Sequence, residues 1–357
     1  MELHAFSFGA LALLLATAAF PSLALAAAAA PSANADAAMG IDSTCTKPYV
    51  RKEWRRLMLD ERKSYIGAVK CMMAKPGVAP LDAVTNRFED FLATHIVQAF
   101  DSHFVGVFYP YHRFLLARYE EELWDCGWSR DLGQPFWDWT LDVENDDDLI
   151  NSPVFDVETG FGGMGTINHH PKLTHPDPHP PDRPTPQDVP DRTGGGCLQN
   201  GPFADLSTFL GPQNNTEKKG QNCLRRDLAP VSLRTMSGPD RVAEAMALPD
   251  YGQWERVTDG GSLHPGGHWG PGGLYGTMTD LFASPGIRWS WQTRDPDRIY
   301  DISGPLVFFD YDNKEAGNLT LDGIVWNGLG DFRKETTVER LMHIQRGELC
   351  YTYDELY

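Results

Sequence analysis

Two histidines stand four residues apart in the glycine-rich stretch GSLHPGGHWG, residues 261–270. Imidazole is the commonest side chain for holding a transition metal, but His264 and His268 alone make an incomplete ligand set. Further candidates lie upstream. His95 recurs at helical spacing with Phe88, Phe91 and Leu92, and His112 shares a face with Leu115, Leu116 and Tyr119. Both rings therefore point toward an apolar interior, where their nitrogens must be satisfied by hydrogen bonds or by a metal. A lone histidine in such a place is more often a hydrogen-bonded core residue. Here His103 lies between the two, nine residues before His112, and three inward imidazoles can surround one ion. The later pair then hints at a second ion and a two-metal centre. Copper, zinc, iron and nickel all accept this ligand type, so chemistry alone leaves the metal open.

These histidines need helices to aim them. Residues 50–74 read as one helix, with Trp54, Leu57, Met58, Tyr65, Val69 and Met72 at helical spacing and Pro76-Gly77 as its stop. A second runs through Phe88 to Ile96, and a third through His112 to Leu123, ending at Gly127. Residues 171–190 hold eight prolines in twenty positions and read as an extended surface loop. In the C-terminal third, short apolar runs such as PLVFF (305–309) and ELCYTY (348–353) alternate with Gly/Asp/Asn turns and suggest a few short strands. The fold class expected is mainly α: a helical-bundle core with long irregular loops.

The run THIVQAFDSHFVGVFYPYHRFLLARYEEELWDCG (94–127), followed by QPFWDW (134–139), resembles the first copper half of the tyrosinase and catechol oxidase (polyphenol oxidase) family. HPGGHWGPGG (264–273) resembles the start of the second half, and LCYTY (349–353) the segment that closes the catalytic domain. The resemblance implies a type-3 copper oxidoreductase whose dinuclear site uses O2 to oxidise o-diphenols, or monophenols, to o-quinones. It implies His95, His103 and His112 as ligands of the first copper (CuA), and His264 and His268 as ligands of the second (CuB). No catalytic side chain beyond these ligands is implied. Glu120 occupies the family's place for a glutamate after the His-Arg pair. Three consecutive glutamates (120–122) otherwise read either as a solvated helix face or as an ion pair to an arginine such as Arg113. Trp137 and Trp139 read as core.

The family pattern breaks once. A third CuB histidine should sit on a helix with a pattern like D-P-x-F-W-L-H-H-x-x-x-D-R. This chain instead reads TDLFASPGIRWSWQTRDP (279–296), with matching flanks but a dozen or more residues missing near 285–288. No histidine occurs between His268 and His343. His169-His170 imitates the missing pair without its context, and His343 lies in no ligand-like segment. The gap reads as a gene-model or splicing artefact, or else as a genuine non-catalytic or impaired relative that keeps only CuA. Two smaller departures bear on activity. Asp101 stands two before His103, where some relatives carry a cysteine for a thioether. Pro265 follows His264, where many tyrosinases carry asparagine; that favours o-diphenols.

Compartment and partners follow from the remainder. Residues 1–26 read as a signal peptide: an apolar stretch from Phe6 to Phe20, then Pro21 and Ala24-Leu25-Ala26, although Glu2 and His4 replace the usual basic residues. Residues 27–357 then form the catalytic domain of a secreted protein without a membrane anchor. The formal charge of −18 and the absence of Lys/Arg-rich runs exclude a nucleic-acid partner and point to small-molecule phenols. Six cysteines suit disulfides in an oxidising compartment, with the pairing and the oligomeric state left open. Asn214-Asn215-Thr216 and Asn318-Leu319-Thr320 are glycosylation sequons.

Overall fold

The strongest periodicities in the sequence become the three longest helices: α1 (Leu59–Ala74), α2 (Arg87–Val97) and α3 (Phe108–Asp125). A computed structural model describes residues 45–167, 195–211, 215–261, 263–271, 285–311, 317–346 and 349–356. The expected signal peptide, the proline-rich stretch 171–190, His169-His170 and most of the LFASP flank lie outside the described residues. By internal contacts the chain divides into Met1–Pro31 and Ser32–Tyr357, and every described residue falls in the second unit.

Each helix forms for a local reason and buries one face. Asn86 caps α2, its side chain accepting the Glu89 N–H, while the Glu89 carboxylate accepts the Thr85 N–H at 2.6 Å. Phe88, Phe91 and Leu92 are then buried, each contributing about 1.5–3 kcal/mol on the scale of side-chain burial. α1 packs on α2 and α3 through Tyr65, Ile66, Val69 and Met72. α3 ends as the sequence suggests, with Gly127 in the left-handed region at φ 90°. Trp137 and Trp139 are core residues, 1% and 0% exposed. No helix among the described residues is long and apolar enough to cross a membrane.

Two expected elements differ. The helix read over 50–74 begins only at Leu59. Before it come a strand, β1 (Tyr49–Arg51), and a 3-10 turn, Trp54–Arg56. Trp54 and Leu57 are buried from that turn, whose three-residue period imitates α-helical spacing, whereas Met58 is 66% exposed. β1 pairs in parallel with β2 (Tyr351–Tyr353), in the register Tyr49↔Tyr351, Val50↔Thr352 and Arg51↔Tyr353. The PLVFF run forms no strand. Pro305 makes an isolated bridge to Asn318, and Leu306 and Val307 stay exposed with no sheet to bury them.

All six cysteines are paired: Cys45–Cys350, Cys71–Cys126 and Cys197–Cys223. The first bond joins segments 305 residues apart beside the β1–β2 pairing, and the second ties α1 to the end of α3. Between them these bonds hold the frame on which the histidine-bearing segments sit.

Candidate metal centre

His95 lies near the end of α2, above the buried Phe88 and Phe91. His103 follows the short helix Ala99–Ser102, where extended backbone (φ −120°, ψ 145°) turns it out of the helical path. His112 lies one turn into α3. The three rings converge, each offering one nitrogen, and those nitrogens all lie within 4.8 Å of one another.

Backbone carbonyls set their orientation. Nδ1 of His103 lies 2.9 Å from the Ala99 oxygen, and Nδ1 of His112 lies 2.8 Å from the Phe108 oxygen. A carbonyl only accepts, so each Nδ1 carries the proton and each Nε2 presents a lone pair inward. His112 Nε2 stands 3.3 Å from His95 Nε2. Two ligand nitrogens about 2.0–2.1 Å from a shared ion stand roughly 3 Å apart, so this spacing fits a bound cation. Three neutral imidazoles are a donor set that copper accepts.

The second pair is built differently. A π-helical turn, Arg256–Gly261, feeds helix α4 (Leu263–Trp269), which carries both His264 and His268. π-helical turns recur at functional sites because the extra residue re-aims side chains. Here the turn brings the Asp259 carboxylate 3.2 Å from His264 Nδ1. That carboxylate also accepts the backbone N–H of Phe104, so it joins the loop after His103 to the His264 helix. With Nδ1 engaged, His264 turns Nε2 toward His268 Nε2, 2.7 Å away. Among the described residues no third histidine, cysteine or carboxylate completes a three-ligand group with this pair.

The two groups are neighbours. The His103 and His264 rings stack with centroids 5.5 Å apart and 28° between their planes. Phe108 wedges between them, its centroid 4.4 Å from His112 and 4.7 Å from His264. All five expected ligands therefore meet at one place. His343 is elsewhere: it is buried, its Nδ1 accepts the Gln345 N–H at 3.0 Å, and its ring lies 5.1 Å from Trp289.

Glu120 forms an ion pair to an arginine, one of its two readings from sequence, but the arginine is Arg51 rather than Arg113. Fully buried, it accepts two N–H bonds from Arg51 at 2.7 and 2.8 Å, and the Tyr49 hydroxyl at 2.7 Å. Arg113 instead donates to the carbonyls of Leu341 and Met342 and to Gln292. The sequence reading also missed Glu255 and Asp259, two buried carboxyl groups four residues apart. Burial, with the Asp259 charge added, pushes the Glu255 carboxyl far above its ordinary range. Their four-residue, helical spacing was the available signal.

A family model describing the common central domain of tyrosinase matches residues 85–286. Similar proteins include tyrosinase P of Aspergillus terreus, 31% identical over 87% of this chain and 93% of that protein. Tyrosinase-like protein phomQ1 of Diaporthe leptostromiformis is 30% identical over 87% of this chain and 78% of its own length. N-acetyl-6-hydroxytryptophan oxidase ivoB of Emericella nidulans is 28% identical over 85% and 92%. Among solved structures, a variant of polyphenol oxidase from Thermothelomyces thermophila aligns with a TM-score of 0.73 at 26% identity, covering 90% of this chain and 93% of that one.

Proposed function

Since this chain belongs to the tyrosinase family and is an oxidase of that type, we propose that it oxidises o-diphenols to o-quinones with O2, using copper held by its clustered histidines. His95, His103 and His112 hold the first ion; His264 and His268 face the second. The convergence of three inward-facing imidazoles carries this reading. Bound copper supplies the route by which electrons from the phenol reach O2. Each o-diphenol gives up two electrons and two protons, so two of them reduce one O2 to two waters.

The chain's own groups position and shield. The carbonyls of Ala99 and Phe108 fix the tautomers of His103 and His112, and the Asp259 backbone oxygen, 3.4 Å from Nδ1, does the same for His264. Phe108, 2% exposed, fills the space between the ligand groups with an apolar ring that excludes water. Pro265 offers no polar side chain beside His264, which favours substrates already bearing two hydroxyls over monophenols. The named substrate of ivoB is a phenol fused to a second ring, which supports a phenolic substrate larger than catechol. Three disulfides support passage through an oxidising compartment, with cleavage near Ala26 and secretion of residues 27–357. Edman sequencing of the mature chain tests that boundary.

A second reading rests on the missing third ligand of the His264 pair: only the three-histidine ion is retained and turnover is lost. Copper analysis together with catechol oxidation after copper loading separates the two. About two ions per chain with turnover supports the oxidase, and about one ion without turnover supports the impaired form. Near-zero copper with no oxidation overturns both.

A further inference from the structure

His103 is followed at once by Phe104, one of only two non-glycine residues among those described with positive φ; the other is Phe309. Their φ values are 54° and 61°, a region in which a bulky side chain is strained. The two strained residues hold each other. Their rings stack with centroids 4.3 Å apart and 22° between planes, and the Phe309 N–H donates to the Phe104 oxygen at 3.3 Å. Phe308 packs edge-on against Phe104 at 5.3 Å and against Phe309 at 4.5 Å, and it meets Phe100 at 5.0 Å.

Phe104, Phe308 and Phe309 are half-buried, and Phe100 forms the exposed edge of the group. Phe100 is 57% exposed, and the neighbouring Leu306 and Val307 are 47% and 37% exposed. Single exposed apolar residues need no explanation, but a contiguous patch on a chain of formal charge −18 does. Stability alone does not account for two phenylalanines kept in strained backbone to hold rings at a surface. Phe104 follows His103 directly, its N–H is held by the Asp259 carboxylate and its ring lies against Gly260, so the patch starts at the junction of the segments that carry His103 and His264.

We propose that this patch receives the apolar part of the substrate beyond its reacting ring, and that it selects o-diphenols carrying an aryl group over catechol itself. The proposal rests on the oxidase reading above. Phe104 and Phe309 form the rigid floor, and Phe308 and Phe100 form the edge that an incoming ring meets in stacked or edge-on contact.

The test is the double variant Phe100→Ser/Phe308→Ser, which leaves the strained pair and every histidine in place. With copper-loaded protein, kcat/KM is compared for 4-phenylcatechol and catechol; with copper-free protein, binding of 4-phenylphenol is measured. The expected result is a wild-type preference for the phenyl-bearing substrate that falls about tenfold in the variant, mainly through KM, with weaker 4-phenylphenol binding to match. A substrate ratio and phenylphenol affinity unchanged in a folded variant overturn the proposal. So does a wild-type dimer that becomes monomeric in the variant with the ratio intact, since the patch would then be a self-association surface. Should the copper-loaded wild type oxidise neither catechol nor 4-phenylcatechol, the oxidase reading falls and the binding measurement alone decides this one.

Discussion

Arg51 and Glu120 are both fully buried, and neither could stay charged there alone. Burial works against the Arg51 charge, yet Glu120 and the nearby Tyr351 hold its pKa well above the ordinary value. The guanidinium also lies 3.6 Å over the Tyr351 ring and donates to the Tyr353 hydroxyl. Removing one partner strands a buried charge. Glu120→Gln is therefore expected to destabilise the protein by about 3–5 kcal/mol, read as a lower urea midpoint at unchanged m. A loss under about 1 kcal/mol would mean that water reaches Arg51. His343 makes the opposite case. Burial, with the positive charge of Arg113 added, lowers its pKa from 6.5 to about 4. The fold thus disfavours the proton: stability is complete above pH 6.5 and is lost as pH falls from there toward 4. The loss amounts to about 2–3 kcal/mol. In His343→Leu, unfolding free energy should drop by about 2 kcal/mol less than in wild type between pH 7 and pH 4.5. Equal drops would show that His343 gains its proton without cost.

At the scale of elements, legibility followed the range of the forces involved. α2 and α3 were readable because their apolar periodicity and their stop signals are local, and the same periodicity placed His95 and His112 on inward faces. β1 was not readable: its partner β2 lies some three hundred residues away, and Trp54 and Leu57 bury themselves from a 3-10 turn at a spacing a helix also produces. The partner of Glu120 was hidden for the same reason, since Arg51 arrives from the other side of the fold. Disulfide pairing likewise waited on the tertiary structure. The five histidines were legible through motif resemblance, whereas the Asp259 contact that orients His264 depends on a π-helical turn with no distinctive composition. The cap on α2 tests the local side of this division. Asn86→Ala removes the acceptor for the Glu89 N–H at 3.1 Å and should cost about 1 kcal/mol of stability. His95 sits at the far end of that helix, so copper retained by the folded variant should match wild type. A copper loss without a stability loss would show that the cap acts on the metal site directly.

Across the whole molecule, the candidate ligands divide at one point in the sequence. Every residue of the three-histidine group comes from positions 95–112, held by helices that α1 and two disulfides brace. The His264–His268 pair comes shortly before the place where the family pattern expects a further helix and the sequence passes from TDLFASP to GIRWSWQ without it. Ligand number governs how firmly an ion is kept, so the two ions should differ sharply in retention. Dialysis of copper-loaded protein against a graded chelator series should strip one ion early and hold the other through much stronger competition. His103→Ala should weaken the tightly held ion, and His268→Ala only the labile one. If the transcript carries an in-frame segment encoding a histidine between the codons for Ser284 and Trp289, the longer chain should keep both ions together. Equal retention of two ions by the present chain would mean that some other group completes the second set, and the division argued here would fail.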